Sequence, residues 1–197
     1  MTDWRRWHAG YEDPAHPLSR RLRIVQALLH DALSVRPPGP VSLTSVCAGD
    51  GRDVRGVLAV HPRADDVSAV LVEKDPVLAT TGGCLVGDAG DLATYRDVPP
   101  ADVLLLCGVL GNVSDEDVAL VAGNVSRLCA PGASLIWTRH RREPDLTPDL
   151  RRWLREAGWQ ETAFVTGAPT AAFTVGAAVL TRDPLPYKEM RLFTFVG

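Results

Sequence analysis

Lysine is nearly absent from this sequence. Lys74 and Lys188 are the only two, so almost all positive charge is arginine. The codon composition of a GC-rich genome accounts for that without a functional reason. An excess of basic charge is lacking too: the net charge is −3 and the isoelectric point is near 5.9. This argues against a dedicated nucleic-acid binder, which is usually basic. Paired cysteines are missing. Cys47, Cys84, Cys107 and Cys129 are widely spaced, with no CxxC and no histidine at ligand spacing, which argues against a zinc site. Each lies in or beside an apolar run, as reduced, buried thiols do in a cytosolic protein. Long apolar runs are also lacking. The longest, Val103 to Leu106 continuing through Cys107 to Leu110, is far below the ~20 residues that span a bilayer. The opening MTDWRRWHAGYEDP holds no stretch resembling a signal peptide. The expectation is a cytoplasmic protein that does not engage membrane, in which the sequons at Asn112 and Asn124 carry no meaning.

What is present is the composition of an ordinary globular domain, 46% hydrophobic and 23% charged over 197 residues. That length favours one domain, since chains usually split beyond ~250–300 residues, and folding should bury roughly 70% of the unfolded surface.

Residues 1–17 show no clean period. Leu18, Leu22, Val25, Leu28, Leu29, Ala32 and Leu33 then recur at three- and four-residue steps, an amphipathic helix stopped by Pro37-Pro38-Gly39-Pro40. Arg20, Arg21 and Arg23 read as its solvated face. Beyond it the period switches. Val41–Cys47 reads as a buried strand, Arg52–Val60 as a helix, and Val67–Val72 as a strand ending in Glu73. Asp75-Pro76 opens a short helix that Gly82-Gly83 closes, followed by a brief strand at Cys84–Val86. Ala101–Cys107 is a continuous apolar run, the mark of a strand buried on both faces. A helix capped by Ser114 or Asp115 follows, ended by Pro131-Gly132. Ala133–Thr138 is the next strand and Thr147–Glu156 the next helix; Thr162–Thr166, Ala172–Thr181 and Leu192–Val196 are β-like. Alternating strands and helices imply parallel βαβ units, with antiparallel pairing among the crowded last strands.

In an open parallel sheet, ligands bind outside the carboxyl ends of the strands. Gly49-Asp50-Gly51 follows the first strand and opens a helix. Glycine lets backbone approach a ligand closely, and the helix N-terminus offers free amides. Glu73 ends the second strand, where a carboxylate can take both ribose hydroxyls of an adenosine. The alternative is a tight turn with a solvated acid. For a dinucleotide the third glycine of GxGxxG is replaced by Val54, which makes a poor pyrophosphate site.

These motifs resemble the class I S-adenosylmethionine-dependent methyltransferases over roughly Val41 to Thr181. Ser45-Val46-Cys47-Ala48-Gly49-Asp50-Gly51 resembles the family's (D/E)xGxGxG motif, with Ser45 in place of the acid and Cys47 in place of the first glycine. Glu73 matches the ribose-binding acid. Gly87-Asp88-Ala89 matches the third-strand motif, in which Asp88 would accept from the adenine amino group and Ala89 donate its amide. Leu106-Cys107-Gly108 falls at the fourth strand end, beside the methyl-bearing sulfur. Leu128-Cys129-Ala130-Pro131-Gly132 resembles the turn before the fifth strand, and Trp153 to Trp159 the last helix. The resemblance implies an α/β, three-layer Rossmann-like sheet of order 3-2-1-4-5-7-6 with strand 7 antiparallel. It also implies three regions: an N-terminal helical lid over 1–40, a cofactor-binding core over 41–181, and a tail strand over 182–197.

The family reaction is in-line methyl displacement, in which the protein aligns the nucleophile and excludes water. His140, leaving the fifth strand, is either the base that removes an acceptor proton or part of an exposed basic turn. Asn112 either positions the acceptor or caps the next helix. Trp4, Trp7, His8 and Tyr11 either shield the sulfonium through cation–π contact or pack the extension onto the sheet. The (D/N)PP(Y/F) motif of amino-directed nucleic-acid methyltransferases is missing, since Cys107-Gly108-Val109-Leu110 takes its place, and no Pro-Cys pair supplies a cytosine nucleophile. The expected partners are a small-molecule acceptor and, where the chain self-associates, a second copy. A non-catalytic cofactor binder and an NAD-dependent oxidoreductase are the competing readings.

Overall fold

A computed structural model describes residues 9–167 and 172–196. Trp4, Trp7 and His8 lie outside the described residues. The elements in chain order are α1 (Pro17–Ser34), β1 (Val41–Val46), α2 (Arg52–Leu58), β2 (Val67–Glu73), α3 (Pro76–Gly82) and β3 (Leu85–Val86). They continue with β4 (Ala101–Leu106), α4 (Asp115–Asn124), β5 (Cys129–His140), α5 (Thr147–Glu156), β6 (Trp159–Thr166) and β7 (Phe173–Leu180).

The strands form one sheet of order β3-β2-β1-β4-β5-β7-β6, as expected. β1 to β5 pair in parallel, and β7 runs antiparallel between β5 and β6. The apolar run of β4 is explained by its position. Val103 and Leu105 pack on one face with Val25, Leu29 and Leu33 of α1 and Val54 and Val57 of α2. Leu104 and Leu106 pack on the other with Val118 and Val121 of α4 and Leu150 and Leu154 of α5. Successive side chains point to opposite faces, so a strand covered on both sides must be apolar throughout. As read from the sequence, Ser114 caps α4, its Oγ accepting from the Asp117 amide at 3.1 Å.

Several boundaries differ: α2 stops at Leu58, and α4 ends at Asn124 in a 3₁₀ turn over Val125–Leu128 instead of running to Pro131. β5 begins at Cys129, not Ala133, and runs through Pro131-Gly132. Its register shifts there, from Ala101↔Cys129 to Val103↔Ser134, so the Pro-Gly pair is a bulge. A proline within a sheet is confined to such a place because it cannot donate to the ladder. β6 starts at Trp159, because Gly158 at φ +96° turns the chain directly into the strand. The tail strand is replaced by extended chain held through two isolated bridges, Asp91↔Arg191 and Val113↔Phe195. No helix among the described residues is long and apolar enough to cross a membrane.

Candidate functional site

The turn after β1 is built from three left-handed residues, Cys47 (φ +56°), Gly49 (φ +60°) and Gly51 (φ +70°). Gly51 is required twice over. Its φ disfavours any side chain, and a Cβ there would lie 2.6 Å from Leu71 Cδ1. Cys47 tolerates its φ at a cost of roughly 1–2 kcal/mol. The turn is held by Glu73, whose Oε2 accepts from the Gly49 amide at 2.8 Å. Glu73 Oε1 accepts from the amides of Lys74 at 2.8 Å and Asp75 at 2.9 Å. A carboxylate has about four acceptor sites. Three are taken, leaving about one open.

Asp88 follows β3. Its Oδ1 accepts from the Gly90 amide at 3.1 Å, and its Oδ2 from Lys74 Nζ at 3.2 Å and Arg191 Nη1 at 3.4 Å. Burial pushes this carboxyl up, but the Gly90 amide, Lys74 and Arg191 outweigh it and hold it below the ordinary value. At the end of β4, Gly108 donates its amide to Thr138 Oγ1 at 2.9 Å.

These residues converge on one cavity of about 280 Å³ at the carboxyl ends of the parallel strands. Cys47, Ala48, Gly49, Glu73, Asp88, Ala89, Cys107, Gly108 and Tyr11 all line it, while Gly51 sits behind as the N-cap of α2. Cys47 packs with one core cluster and Cys107 with the other, so they face opposite sides of the sheet. Burial pushes both thiols far above the ordinary range, which favours their neutral form. Among the described residues no group of three His, Cys, Asp or Glu is placed to hold a metal.

Two expected residues are not on the wall. His140 Nε2 lies 2.9 Å from Gly111 O, and its Nδ1 accepts from the Arg142 amide at 3.2 Å. One nitrogen must donate and the other accept, so both are occupied and the ring is the Nε2–H tautomer. Burial, with Arg139 beside it, holds its pKa below the ordinary value. Asn112 turns back on its own loop, donating Nδ2 to Gly108 O at 2.7 Å. Both lock the β4 loop and neither reaches the cavity.

Conversely, Arg21 lines the cavity instead of joining the solvated face of α1. Its Nη2 donates to Tyr11 Oη at 3.2 Å, and the Arg52 guanidinium lies 4.3 Å over the Tyr11 ring. Asp53 also lines the cavity, only 8% exposed, with one oxygen accepting from the Val54 amide at 2.9 Å. Burial pushes its carboxyl up to about 6 against the pull of that amide. The signal for Arg21 was present: it stands four residues before Val25 and three after Leu18, on the apolar face. Asp53 carried none, because an acid in the first turn of a helix reads as a surface residue. The tail residues Arg191, Phe193, Thr194 and Phe195 complete the wall.

No protein-family model and no curated protein sequence matches the chain. Solved structures do. An O-methyltransferase family protein from Burkholderia thailandensis superposes with a TM-score of 0.65 at 16% identity, covering 90% of this chain and 60% of that one. A TehB-like SAM-dependent methyltransferase from Corynebacterium glutamicum gives 0.56 at 15% identity, covering 84% and 98%. The 1,6-didemethyltoxoflavin-N1-methyltransferase of B. thailandensis, with bound 1,6-didemethyltoxoflavin and S-adenosylhomocysteine, gives 0.59 at 19% identity, covering 82% and 78%. The chain thus spans about 60% of the length of the first of these relatives. At such identities the likeness is one of architecture: this chain has the Rossmann-like fold of the S-adenosylmethionine-dependent methyltransferases.

Proposed function

We propose that this protein transfers a methyl group from S-adenosylmethionine to a small-molecule acceptor, with secondary metabolism as its setting. The observation that carries the reading is convergence. The glycine turn, the Glu73 carboxylate, the Asp88-Ala89 pair and Gly108 belong to four separate strand ends, yet most of them line one cavity. The residues fit the cofactor: Gly49 lines the cavity without a Cβ atom, Gly51 behind it permits the left-handed turn, and Glu73 keeps one acceptor site.

When bound, S-adenosylmethionine supplies an electrophilic methyl group on a sulfonium. Glu73 would hold a ribose hydroxyl, with Asp88 and the Ala89 amide reading the edge of the base. Arg21 and Asp53 form a cation–anion pair of walls suited to the carboxylate and ammonium of the amino-acid end. Cys107 and Gly108 would border the sulfur. Tyr11, braced by Arg21 and Arg52, covers that end from the N-terminal side and excludes water. The acidic net charge supports a small acceptor over nucleic acid.

A second reading, a cofactor binder without turnover, is favoured by His140, whose two nitrogens are both committed to the backbone. An oxidoreductase is disfavoured by Val54, which is 1% exposed and fills the place of the third glycine. Calorimetric titration with S-adenosylmethionine, S-adenosylhomocysteine and NAD separates these readings. Micromolar binding of the first two is expected, lost by at least ten-fold in Glu73→Ala. Binding of NAD alone would overturn the proposal.

A further inference from the structure

The chain beyond β7 returns to the cavity. Pro184 and Pro186 deny it a helix, and residues 187–196 run extended past the loops that follow β3 and β4. Tyr187 Oη donates to Leu92 O at 3.0 Å, the Leu92 amide to Met190 O at 3.0 Å, and the Leu192 amide to Gly90 O at 2.7 Å. The Thr194 amide donates to Asp117 Oδ2 at 2.9 Å, and the Val196 amide to Asn112 O at 3.0 Å. Leu192 and Phe193 are each 2% exposed, in the same core as Leu92 and Tyr95. A Cβ on Gly90 would stand 2.2 Å from Phe193 O, so glycine there is what lets this segment dock.

Arg191, Phe193, Thr194 and Phe195 line the cavity, with Arg191 beside Asp88 and Phe195 bridged to Val113 in the loop after β4. Phe195 is 39% exposed and meets the buried Phe193 edge to face, with centroids 5.6 Å apart. Arg191 binds Asp88 at 3.4 Å and approaches Asp91 at 3.8 Å. A nucleobase asks for polar groups along its edge and a flat apolar surface against its face. Asp88 and Ala89 meet the first demand. The aromatic pair of the tail, with Leu78 also on the wall, meets the second.

We propose that the C-terminal segment is a nucleobase-binding element, in which Phe195 contacts the face of the base and Arg191 orients Asp88 toward its amino edge. The proposal rests on the cofactor reading above. Phe195 is a contact residue; Arg191, acting through Asp88, is a positioning residue.

The test is calorimetry of the full chain with two probes, S-adenosylhomocysteine and 5′-methylthioadenosine, which share the nucleoside but not the amino-acid end. Phe195→Ala should weaken both by roughly ten-fold, the usual loss when a stacking aromatic is removed. Arg191→Ala should weaken both by several-fold, and Arg191→Lys should restore most of the loss. Arg21→Ala should weaken only S-adenosylhomocysteine. In the wild type, S-adenosylhomocysteine should slow amide exchange at Leu192, Thr194 and Val196, a readout independent of how any variant folds. Binding of both probes within two-fold of wild type in Phe195→Ala and Arg191→Ala, with Glu73→Ala still defective, overturns the role of the tail and leaves the cofactor reading intact. Unchanged exchange at those amides on saturation also counts against it. A wild type that binds neither probe overturns both.

Discussion

Asp53 sets binding against stability at a single position. Burial lifts its carboxyl from the ordinary 3.8 to about 6, a difference of about 2 that corresponds to roughly 3 kcal/mol. A raised carboxyl favours the protonated form in the fold. Its stabilising contribution is therefore complete below about pH 4 and is lost as pH rises through about 6. Asp53→Asn, uncharged throughout, should melt well above wild type at pH 8 and approach it near pH 4. Equal melting at pH 8 would mean that the buried charge costs nothing. The same variant should bind S-adenosylmethionine more weakly, since it loses the anion proposed to face the ammonium group. Neither effect was legible in the sequence, where Asp53 is one acid in an ordinary helix start. Glu73 is the opposite case. Its place at the end of an apolar strand marked it, and only the three amides it accepts were hidden.

At the scale of elements, the end of β5 grips the loop after β4 residue by residue. Thr138 takes the Gly108 amide, Arg139 donates to Leu110 O, and His140 donates to Gly111 O. The loop that borders the proposed methyl site is thus placed by the neighbouring strand. For His140, burial and the adjacent Arg139 favour the neutral ring. Its contribution is present above about pH 6.5 and is lost as pH falls through its lowered pKa. His140→Ala should cost roughly 1–2 kcal/mol at pH 8, the value of a buried hydrogen bond left unmade. The stability lost by wild type between pH 7 and 5 should shrink in the variant, as denaturant titration at each pH would show. The histidine stood out in the sequence as a candidate base. Its function as a lock did not, because the Gly111 carbonyl it holds is distant in the chain and adjacent only in the sheet.

The whole molecule is a seven-stranded core closed by its two flanks. α1 covers one face and brings Arg21 to the cavity, while the C-terminal segment covers the loops after β3 and β4 and brings Arg191 and Phe195. Phe193 carries this second closure. Phe193→Ala should destabilise by roughly 3–5 kcal/mol, the range for a buried phenylalanine. At ~2–4 °C per kcal/mol for a chain of this size, melting should fall by more than ~6 °C. A smaller fall would mean that the segment docks weakly and that the wall at the Asp88 end is loosely held.

Period and punctuation in the sequence by themselves determined the βαβ order, the buried character of β1 and β4, and the glycine turn with its acid one strand later. These are local: a switch from a 3.6- to a 2-residue period, a left-handed turn, and a strand apolar on both faces are all dictated by neighbouring residues. Tertiary structure alone decided where Pro131-Gly132 could sit, that His140 locks the loop after β4, and that the tail returns to Asp88. Each of these depends on a partner dozens of residues away, and burial or pairing across that distance exists only once the sheet has brought the strand ends together.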